Sequence, residues 1–307
     1  MFSQIRTQPK PAAADLLSAF KYKIIELVGL AFKLRALGGG PAYEFTEAPR
    51  KFDDDSRQTA EVYVEGSVQN EACRFLLDTG CASTTLMRNR FTQQLTEVGK
   101  RHSSGTFGRA EYDLVQIASI SVGPIKRENL TVSRAPEQGT DRHLLGMDIL
   151  GDHCLQFDFD NNEVRFHAGE ESGSVYHDIF MDRGLIPHIN VEAGGVLDNA
   201  IWDTGAGITL VDIEFVRRNS QLFTPLGHEM GTDSTNTQME TPIYMMSGMV
   251  IAGLKFHLLK AAAVEFSRKD PKIEIQPNFC LGYSTLRQAN WFFDFPNRKW
   301  AITKMLR

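Results

Sequence analysis

The chain has 307 residues, of which 42% are hydrophobic and 23% charged, and this composition is ordinary for a globular protein of two domains. Its net charge of −5 at pH 7 argues against a nucleic-acid-binding protein, which needs a basic face. Four cysteines are too few for a disulfide scaffold and the eight histidines form no metal-binding motif, so we expect buried, reduced thiols and no cofactor.

The N-terminal part of the chain precedes the first strand patterns. Residues 1–14 are polar and rich in proline and alanine, which predicts disorder. Residues 15–60 are predicted to form an amphipathic helix, over 15–37, and a charged linker. Three roles for the helix stay open: packing on the body, contact with a membrane surface through its basic residues, or inhibition as a removable prosegment.

The N-terminal helix has no uninterrupted apolar run of the ~20 residues that a membrane span requires. Charged residues also interrupt the apolar region that a signal peptide would need. We therefore favour a cytoplasmic location and keep association with a membrane surface as the alternative.

The first predicted domain, residues 61–167, contains an apolar run that ends in Asp78-Thr79-Gly80. Consecutive apolar residues before the acid predict a strand that is buried on both faces. Beyond the motif, the sequence predicts a short helix over Asn89–Glu97, a small and polar stretch at 100–110, and a strand over Leu114–Ile120.

The same order of motifs returns in the second half of the chain. Asp203-Thr204-Gly205 follows an apolar run 125 positions after the first copy. Two apolar residues precede both Gly146 and Gly282, which lie 136 positions apart, and the same offset separates Asp158 from Asp294. Repetition on this scale indicates a duplicated domain, because the repeats of a solenoid are only ~20–50 residues long.

The second copy of these motifs lies in a second predicted domain, residues 187–307. Residues 168–186 have no strong pattern and are predicted to connect the two domains. A polar hairpin is predicted near 231–236, and strands dominate both domains.

Taken together, these motifs resemble those of the aspartic proteases, in which two lobes each supply the Asp of one DTG motif to a catalytic pair. The resemblance spans about residues 60–305 and implies a mainly β, two-lobed acid-protease fold. It further implies that each lobe is a closed barrel-like β domain, with the catalytic cleft between the lobes. The lobes are shorter than those of pepsin, and Cys81 and Ala206 stand where pepsin has Ser. In both respects they look more like the single-lobe retroviral proteases, here joined in tandem, so we expect a monomer.

The paired acids carry the predicted chemistry. Two carboxyl groups within hydrogen-bond distance share one proton, because the charge of one opposes ionisation of the other. Asp78 and Asp203 would activate a water molecule between them and protonate the scissile carbonyl oxygen, without a metal or a nucleophilic side chain. The predicted function is an aspartic endopeptidase with a polypeptide substrate. The alternative is a non-catalytic peptide-binding protein that uses the same cleft.

The resemblance also implies roles for the neighbours of the acids. The two threonines would hydrogen-bond to the opposite loop, and the two glycines would let the backbone approach the carboxyl groups. The residues after the glycines donate weakly or not at all to the acids, which predicts a mildly acidic to near-neutral pH optimum. The predicted site-supporting residues are Thr79, Gly80, Cys81, Thr204, Gly205 and Ala206.

In pepsin-like enzymes a hairpin of the first lobe closes over the substrate, with a tyrosine near its tip. The residues predicted to form such a flap are Gly105, Thr106, Phe107 and Gly108. Phe107 is the nearest aromatic residue, and Tyr112 would replace it only if the hairpin were shifted. Both assignments stay open.

Overall fold

The computed structural model of the chain describes residues 42–44, 46–49, 59–167, 174–182, 185–266 and 276–306. Strands account for 58% of the described residues and helices for 9%, which confirms the mainly β class. The predicted disordered segment 1–14 and the predicted helix 15–37 lie outside the described residues. Within the described ranges, every helix is too short or too polar to cross a lipid bilayer.

Short strands form most of the structure. Those of the first half are β1 (Ala42–Glu44), β2 (Thr46–Pro49), β3 (Ala60–Val68), β4 (Glu71–Leu77), β5 (Thr85–Leu86), β6 (Glu97–Ser104), β7 (Arg109–Val122), β8 (Ile125–Arg134), β9 (His143–Leu145), β10 (Cys154–Asp158) and β11 (Glu163–His167). Those of the second half are β12 (His177–Asp178), β13 (Phe180–Asp182), β14 (Ile186–Ala193), β15 (Val196–Trp202), β16 (Thr209–Asp212), β17 (Phe223–Thr232), β18 (Gln238–Met246), β19 (Met249–Ile251), β20 (Leu254–Lys255), β21 (Leu259–Val264), β22 (Phe279–Leu281), β23 (Ala289–Asp294) and β24 (Lys299–Met305).

The helices are short. They are α1 (Met147–Leu150), α2 (Ile213–Arg218) and α3 (Tyr283–Leu286), together with 3₁₀ turns at Thr92–Gln94 and Ser220–Leu222. The helix predicted over Asn89–Glu97 is wrong, because only the 3₁₀ turn forms there. Thr92 donates its backbone N–H to the side chain of Asn89, and Asn89 donates its own N–H to the Thr92 hydroxyl, both at 2.8 Å. Such local bonds compete with helix formation, and the chain becomes extended again at Leu95.

An eight-stranded sheet, in the order β2-β3-β4-β9-β5-β8-β7-β6, contains the first acidic motif. An additional pairing of β3 with β7 folds this sheet back on itself. Gly66 makes the close approach possible, because a Cβ added there would lie 2.5 Å from the carbonyl oxygen of Ser121. Strand β4 runs from the surface into the interior, so Phe75, Leu76 and Leu77 are all buried.

A second sheet contains the second acidic motif, with the order β17-β18-β21-β16-β22-β15-β14-β19-β20 and β13 beside β14. The two sheets share a local pattern around their acids. In the first, β4 pairs in parallel with β9, and in the second, β15 pairs in parallel with β22. A closed barrel in each half remains a prediction.

A third sheet joins the two halves of the chain in the order β1-β11-β10-β23-β24-β12. The repeated motifs form its centre, because β10 and β23 pair directly and antiparallel. Asn161 donates its backbone and side-chain N–H groups to Asp158 at 3.1 and 2.9 Å, and Asn297 bonds to Asp294 in the same way at 3.0 and 2.9 Å. The 136-residue offset in the sequence therefore corresponds to two equivalent turns in the structure.

The hydrophobic core is continuous across the two halves. Phe157 of the first half lies with its ring centroid 4.8 Å from that of Trp202, which precedes the second motif. Trp202 also packs on Phe293, with 4.2 Å between ring centroids, and all three side chains are fully buried. The two acidic motifs therefore rest on one shared aromatic cluster.

Candidate active site

The two acids lie directly after the strands that the sequence indicates. Asp78 follows β4 and Asp203 follows β15. Each is fixed through its backbone N–H, which donates to the carbonyl oxygen of Leu145 at 3.1 Å in the first case and of Leu281 at 3.0 Å in the second. The apolar residues before Gly146 and Gly282 thus support the acidic loops from behind.

The two threonines of the motifs connect the loops to each other. The Thr79 hydroxyl donates to the carbonyl oxygen of Trp202, and the Thr204 hydroxyl donates to that of Leu77, both at 2.8 Å. Each hydroxyl also accepts the backbone N–H of the other threonine, at 3.1 and 3.2 Å. Both side chains are buried, and their four hydrogen bonds hold the acidic loops in a fixed relative position.

The two glycines allow the loops to meet. A Cβ added at Gly80 would lie 2.4 Å from the carboxyl carbon of Asp203, and one added at Gly205 would lie 2.5 Å from that of Asp78. Contacts this short do not occur at real Cβ atoms. Each glycine therefore lies against the acid of the opposite motif, which places the two carboxyl groups side by side.

Hydrogen-bond donors converge on Asp203. Its Oδ1 atom accepts the backbone N–H groups of Gly205, at 2.8 Å, and Gly80, at 3.1 Å. Its Oδ2 atom accepts the thiol of Cys280 at 3.3 Å. Enclosure raises the pKa of Asp203, but the donors from Gly205 and Cys280 act in the opposite direction because they stabilise the ionised form.

Asp78 is buried, and its pKa is raised well above the ordinary value. Burial is the main cause, followed by the negative charge of Asp203 and by a hydrogen bond to it. Both effects favour the protonated form of Asp78. Asp78 is raised more strongly than Asp203, which makes Asp78 the favoured holder of a proton that the pair shares.

The residues after the glycines do not donate to the acids through their side chains. The thiol of Cys81 donates to the carbonyl oxygen of Ser83 at 3.1 Å, so the expected weak donation from Cys81 to the pair is wrong. The backbone carbonyl groups of Cys81 and Ala206 instead accept the N–H groups of Met147, at 2.8 Å, and Tyr283, at 2.9 Å. These bonds tie the two acidic loops to helices α1 and α3.

All four cysteines are free thiols. Cys280 is buried, whereas Cys73, Cys81 and Cys154 are partly exposed, so the predicted burial of the thiols holds for Cys280 alone. Cys280 occupies the position that Leu144 occupies in the first half, as one of the two apolar residues that precede each of Gly146 and Gly282. Its contact with Asp203 was missed because a thiol in a strand has no local signature of a hydrogen bond to an acid 77 residues away.

Two hairpins meet beside the acidic loops. The predicted tip residues Gly105, Thr106, Phe107 and Gly108 connect β6 to β7, and Gly105 donates its N–H to the carbonyl oxygen of Gly108 at 2.8 Å. The second hairpin, β17–β18, includes the polar turn that the sequence predicts near 231–236.

Asp233 connects the two hairpin tips. Its Oδ2 atom accepts the backbone N–H groups of Phe107, at 2.7 Å, and Gly108, at 2.9 Å. Its Oδ1 atom accepts the N–H groups of Thr235, at 2.9 Å, and Thr237, at 3.0 Å, within its own turn. A Cβ added at Gly105 would lie 2.2 Å from Asp233 Oδ2, so the first tip fits closely around this carboxyl group. The sequence did not indicate this contact between the two halves.

Tyr112 and Phe107 occupy different places. Tyr112 lies on β7, is buried, and donates its hydroxyl to the carbonyl oxygen of Ser234 at 3.2 Å. Burial raises its pKa to about 12. Phe107 lies at the hairpin tip, where its ring would be 3.2 Å from a Cβ added at Gly231 of the other hairpin. Both aromatic residues therefore contact the second hairpin.

The described residues contain no group of three side chains that would hold a metal ion. What the site offers instead is a pair of enclosed carboxyl groups with one shared proton. A pair in this state has both a proton donor and a proton acceptor, which is the requirement for general acid–base chemistry on a bound water molecule.

Comparison with known proteins bears on the first half of the chain. No curated protein sequence matches the chain. Residues 64–152 match the family model of the gag-polyprotein putative aspartyl protease. This segment includes the first DTG motif, the hairpin β6–β7 and the Leu144-Leu145-Gly146 strand. Over this segment, the chain is therefore similar to the retropepsin-like aspartyl proteases.

Proposed function

We propose that the protein is an aspartic endopeptidase in which Asp78 and Asp203 act together on one water molecule. The observation that carries this proposal is the close approach of each motif glycine to the opposite acid. A Cβ added at Gly80 would lie 2.4 Å from the carboxyl carbon of Asp203, and one added at Gly205 would lie 2.5 Å from that of Asp78. Such contact requires the two loops to meet face to face. The family match in residues 64–152 supports the proposal for the first half.

Asp203 is the base in this proposal. Its charge is supported by the N–H groups of Gly80 and Gly205 and by the Cys280 thiol. The ionised carboxylate accepts a proton from the water molecule while the water oxygen attacks the carbonyl carbon of the scissile peptide bond.

Asp78 is the acid. Its raised pKa keeps the carboxyl group protonated, so it donates this proton to the carbonyl oxygen as the tetrahedral intermediate forms. Collapse of that intermediate breaks the C–N bond, and the proton held by Asp203 passes to the leaving nitrogen. One hydroxyl of the intermediate returns its proton to Asp78 as the new carboxyl group forms. The pair then holds one proton again, and no covalent bond to the protein forms.

The proposal includes a two-lobed architecture with a substrate cleft between the lobes. Residues 61–167 and 187–307 form the two lobes, with 168–186 between them and the cleft where the acidic loops meet. The hairpins β6–β7 and β17–β18 cover the cleft, and their tips must separate to admit a polypeptide. This part of the proposal is supported by two hydrogen bonds that join the hairpin tips, in which the backbone N–H groups of Phe107 and Gly108 donate to Asp233.

The test is cleavage of a mixed peptide library, with and without pepstatin, by the wild-type protein and three variants. Asp78→Asn, Asp203→Asn and the double variant are each expected to lose about 10²–10⁴-fold or more of the turnover, with the double variant hardly worse than either single one, because the residues act as a unit. Asp152→Asn is the matched control, since Asp152 is 68% exposed and pairs with Arg127 at the surface.

The outcome is decided by two results. An Asp203→Asn variant that keeps a tenth of the wild-type turnover would show that the acids do not share one reaction. A wild-type protein that binds peptides without cleaving any would support the non-catalytic alternative.

A further inference from the structure

An arginine lies on the inner face of the first hairpin. Arg101 is on β6 and pairs in register with Tyr112 on β7, so the two side chains point to the same face of the hairpin. The Nη1 atom of Arg101 donates to the hydroxyl of Ser83 at 2.6 Å. Ser83 follows the first acidic motif, so the guanidinium group lies next to the loop that carries Asp78.

A small cavity adjoins this guanidinium group. Its lining includes Cys81, Arg101, Ser103, Tyr112, Ser133 and Ser234. Arg101 supplies the only charge in this lining, and most of the other groups are hydroxyls or a thiol. Cys81 connects the cavity to the acidic motif, and Ser234 belongs to the second hairpin. Separation of the two hairpin tips, as in the proposed function, would therefore widen this cavity.

Arg101 differs from four partly or fully buried arginines that pair with carboxylates. Arg88 and Arg134 pair with Asp113, Arg142 pairs with Glu61, and Arg165 pairs with Glu163. Among the described residues, no carboxylate lies within ion-pair distance of Arg101, which is only partly exposed. A guanidinium group in an enclosed place normally needs such a partner, because loss of hydration disfavours its charge.

We propose that Arg101 forms a subsite for an acidic side chain, aspartate or glutamate, of the polypeptide substrate. This rests on the proposed endopeptidase function. The carboxylate of the substrate would take the position of the missing partner, in the two-pronged geometry that guanidinium groups form with carboxylates. The hydroxyl of Ser103 lines the same cavity and offers a further donor. A neutral or basic side chain would leave the guanidinium charge uncompensated, so the preference is for a negative charge.

The experiment compares sets of peptides that differ only by glutamate, glutamine or lysine at each of three positions on either side of the scissile bond. For the wild-type protein, we expect kcat/KM to favour glutamate at one position by about tenfold. Arg101→Gln should abolish this preference, and Arg101→Glu should favour lysine at the same position. Arg101→Lys keeps the charge without the two-pronged geometry and should retain part of the preference. Arg109→Gln, which changes an exposed arginine of the same hairpin, is the matched control and should leave the preference intact.

Two results overturn the subsite. One is wild-type cleavage with no preference between glutamate and glutamine at any position. The other is an Arg101→Gln variant that cleaves and keeps the preference. Thermal melting of each variant establishes that it is folded before it is compared.

A protein that cleaves no peptide would contradict the endopeptidase function, and the subsite is then decided by binding. Fluorescence anisotropy of the same labelled peptides, with the wild-type protein and with Asp203→Asn, measures affinity without turnover. Tighter binding of glutamate peptides that disappears in Arg101→Gln supports the subsite. Equal binding of both peptides rejects it.

Discussion

Cys280 and Leu144 occupy equivalent positions behind the two acids, but only Cys280 can donate a hydrogen bond to its acid. Leu144 is apolar, whereas the thiol of Cys280 donates to Asp203 at 3.3 Å. A hydrogen bond to the ionised form of an acid lowers its pKa. The single thiol therefore helps to decide which acid carries the charge and which carries the proton.

The pH dependence of kcat/KM tests this assignment. In the proposed mechanism Asp203 is ionised and Asp78 is protonated, so the pKa of Asp203 would set the acid limb and that of Asp78 the alkaline limb. Both pKa values are raised. The active, singly protonated pair should therefore exist above the ordinary aspartate value of about 3.9, with an optimum in mildly acidic to near-neutral conditions.

Changes at Cys280 should move only the acid limb. Cys280→Ala removes a donor to ionised Asp203, which raises the pKa of Asp203 and moves the acid limb to higher pH. Cys280→Ser supplies a stronger donor and should move this limb to lower pH. Cys81→Ser is the control, because the Cys81 thiol faces the Ser83 carbonyl group. An acid limb that moves in Cys81→Ser but not in Cys280→Ala would show that the thiols have been assigned the wrong way round.

At the scale of elements, one carboxyl group accepts two of the hydrogen bonds that join the two hairpin tips. Asp233 accepts two backbone N–H groups from the first hairpin and two from its own turn. Bonds to a charged acceptor are stronger than those between neutral groups. Separation of the hairpins must break the two hydrogen bonds from Phe107 and Gly108 to Asp233. The two hydrogen bonds from Thr235 and Thr237 to Asp233 lie within the second hairpin and can remain.

Asp233→Ala should therefore loosen the contact without unfolding either hairpin. Hydrogen exchange at the amides of Phe107 and Gly108 is expected to rise by about tenfold, with a loss of kcat/KM because the cleft closes less often. Glu240→Ala, an exposed change on the same second hairpin, is the control. Unchanged exchange at Phe107 in Asp233→Ala would mean that the tips are held by other contacts.

The sequence was informative about elements whose cause is local. The DTG motifs, the buried strand before Asp78 and the repeat that relates Asp158 to Asp294 are all indicated by short patterns, and the structure contains each of these elements. The helix over Asn89–Glu97 was predicted wrongly because side-chain bonds to the backbone were not read from the pattern. The contacts of Asp233 and Cys280 join residues far apart in the chain, and no local pattern indicates them. Arg101 stands out only once the carboxylates around the other arginines are known.

At the scale of the whole molecule, the two halves are connected by one sheet and one aromatic cluster. Strands β10 and β23 pair at the centre of the shared sheet. Phe157 of the first half contacts both Trp202 and Phe293 of the second, with ring centroids 4.8 and 6.3 Å apart. Because these contacts lie beneath the acidic loops, loss of order in one half should affect the other.

Phe157→Ala tests this coupling. Truncation of a fully buried phenylalanine costs about 3–5 kcal/mol of stability. We expect one unfolding transition at a lower temperature, with hydrogen-exchange protection lost to the same extent in β7–β8 and in β17–β18. Phe157→Leu keeps most of the side-chain volume and should show a smaller loss. Two separate transitions, with only the first half destabilised, would contradict a common core.

The difference between Leu144 and Cys280 has a consequence for the direction in which a polypeptide lies in the cleft. Two identical chains related by a two-fold axis would give both acids the same neighbours. In this single chain the two copies differ in sequence, and only Asp203 accepts a hydrogen bond from a thiol. A polypeptide runs from an amino end to a carboxyl end, so the two acids face chemically different sides of the scissile bond. On the proposed function, donor and acceptor are assigned before the substrate arrives, and we expect the site to favour one of the two orientations of the polypeptide backbone.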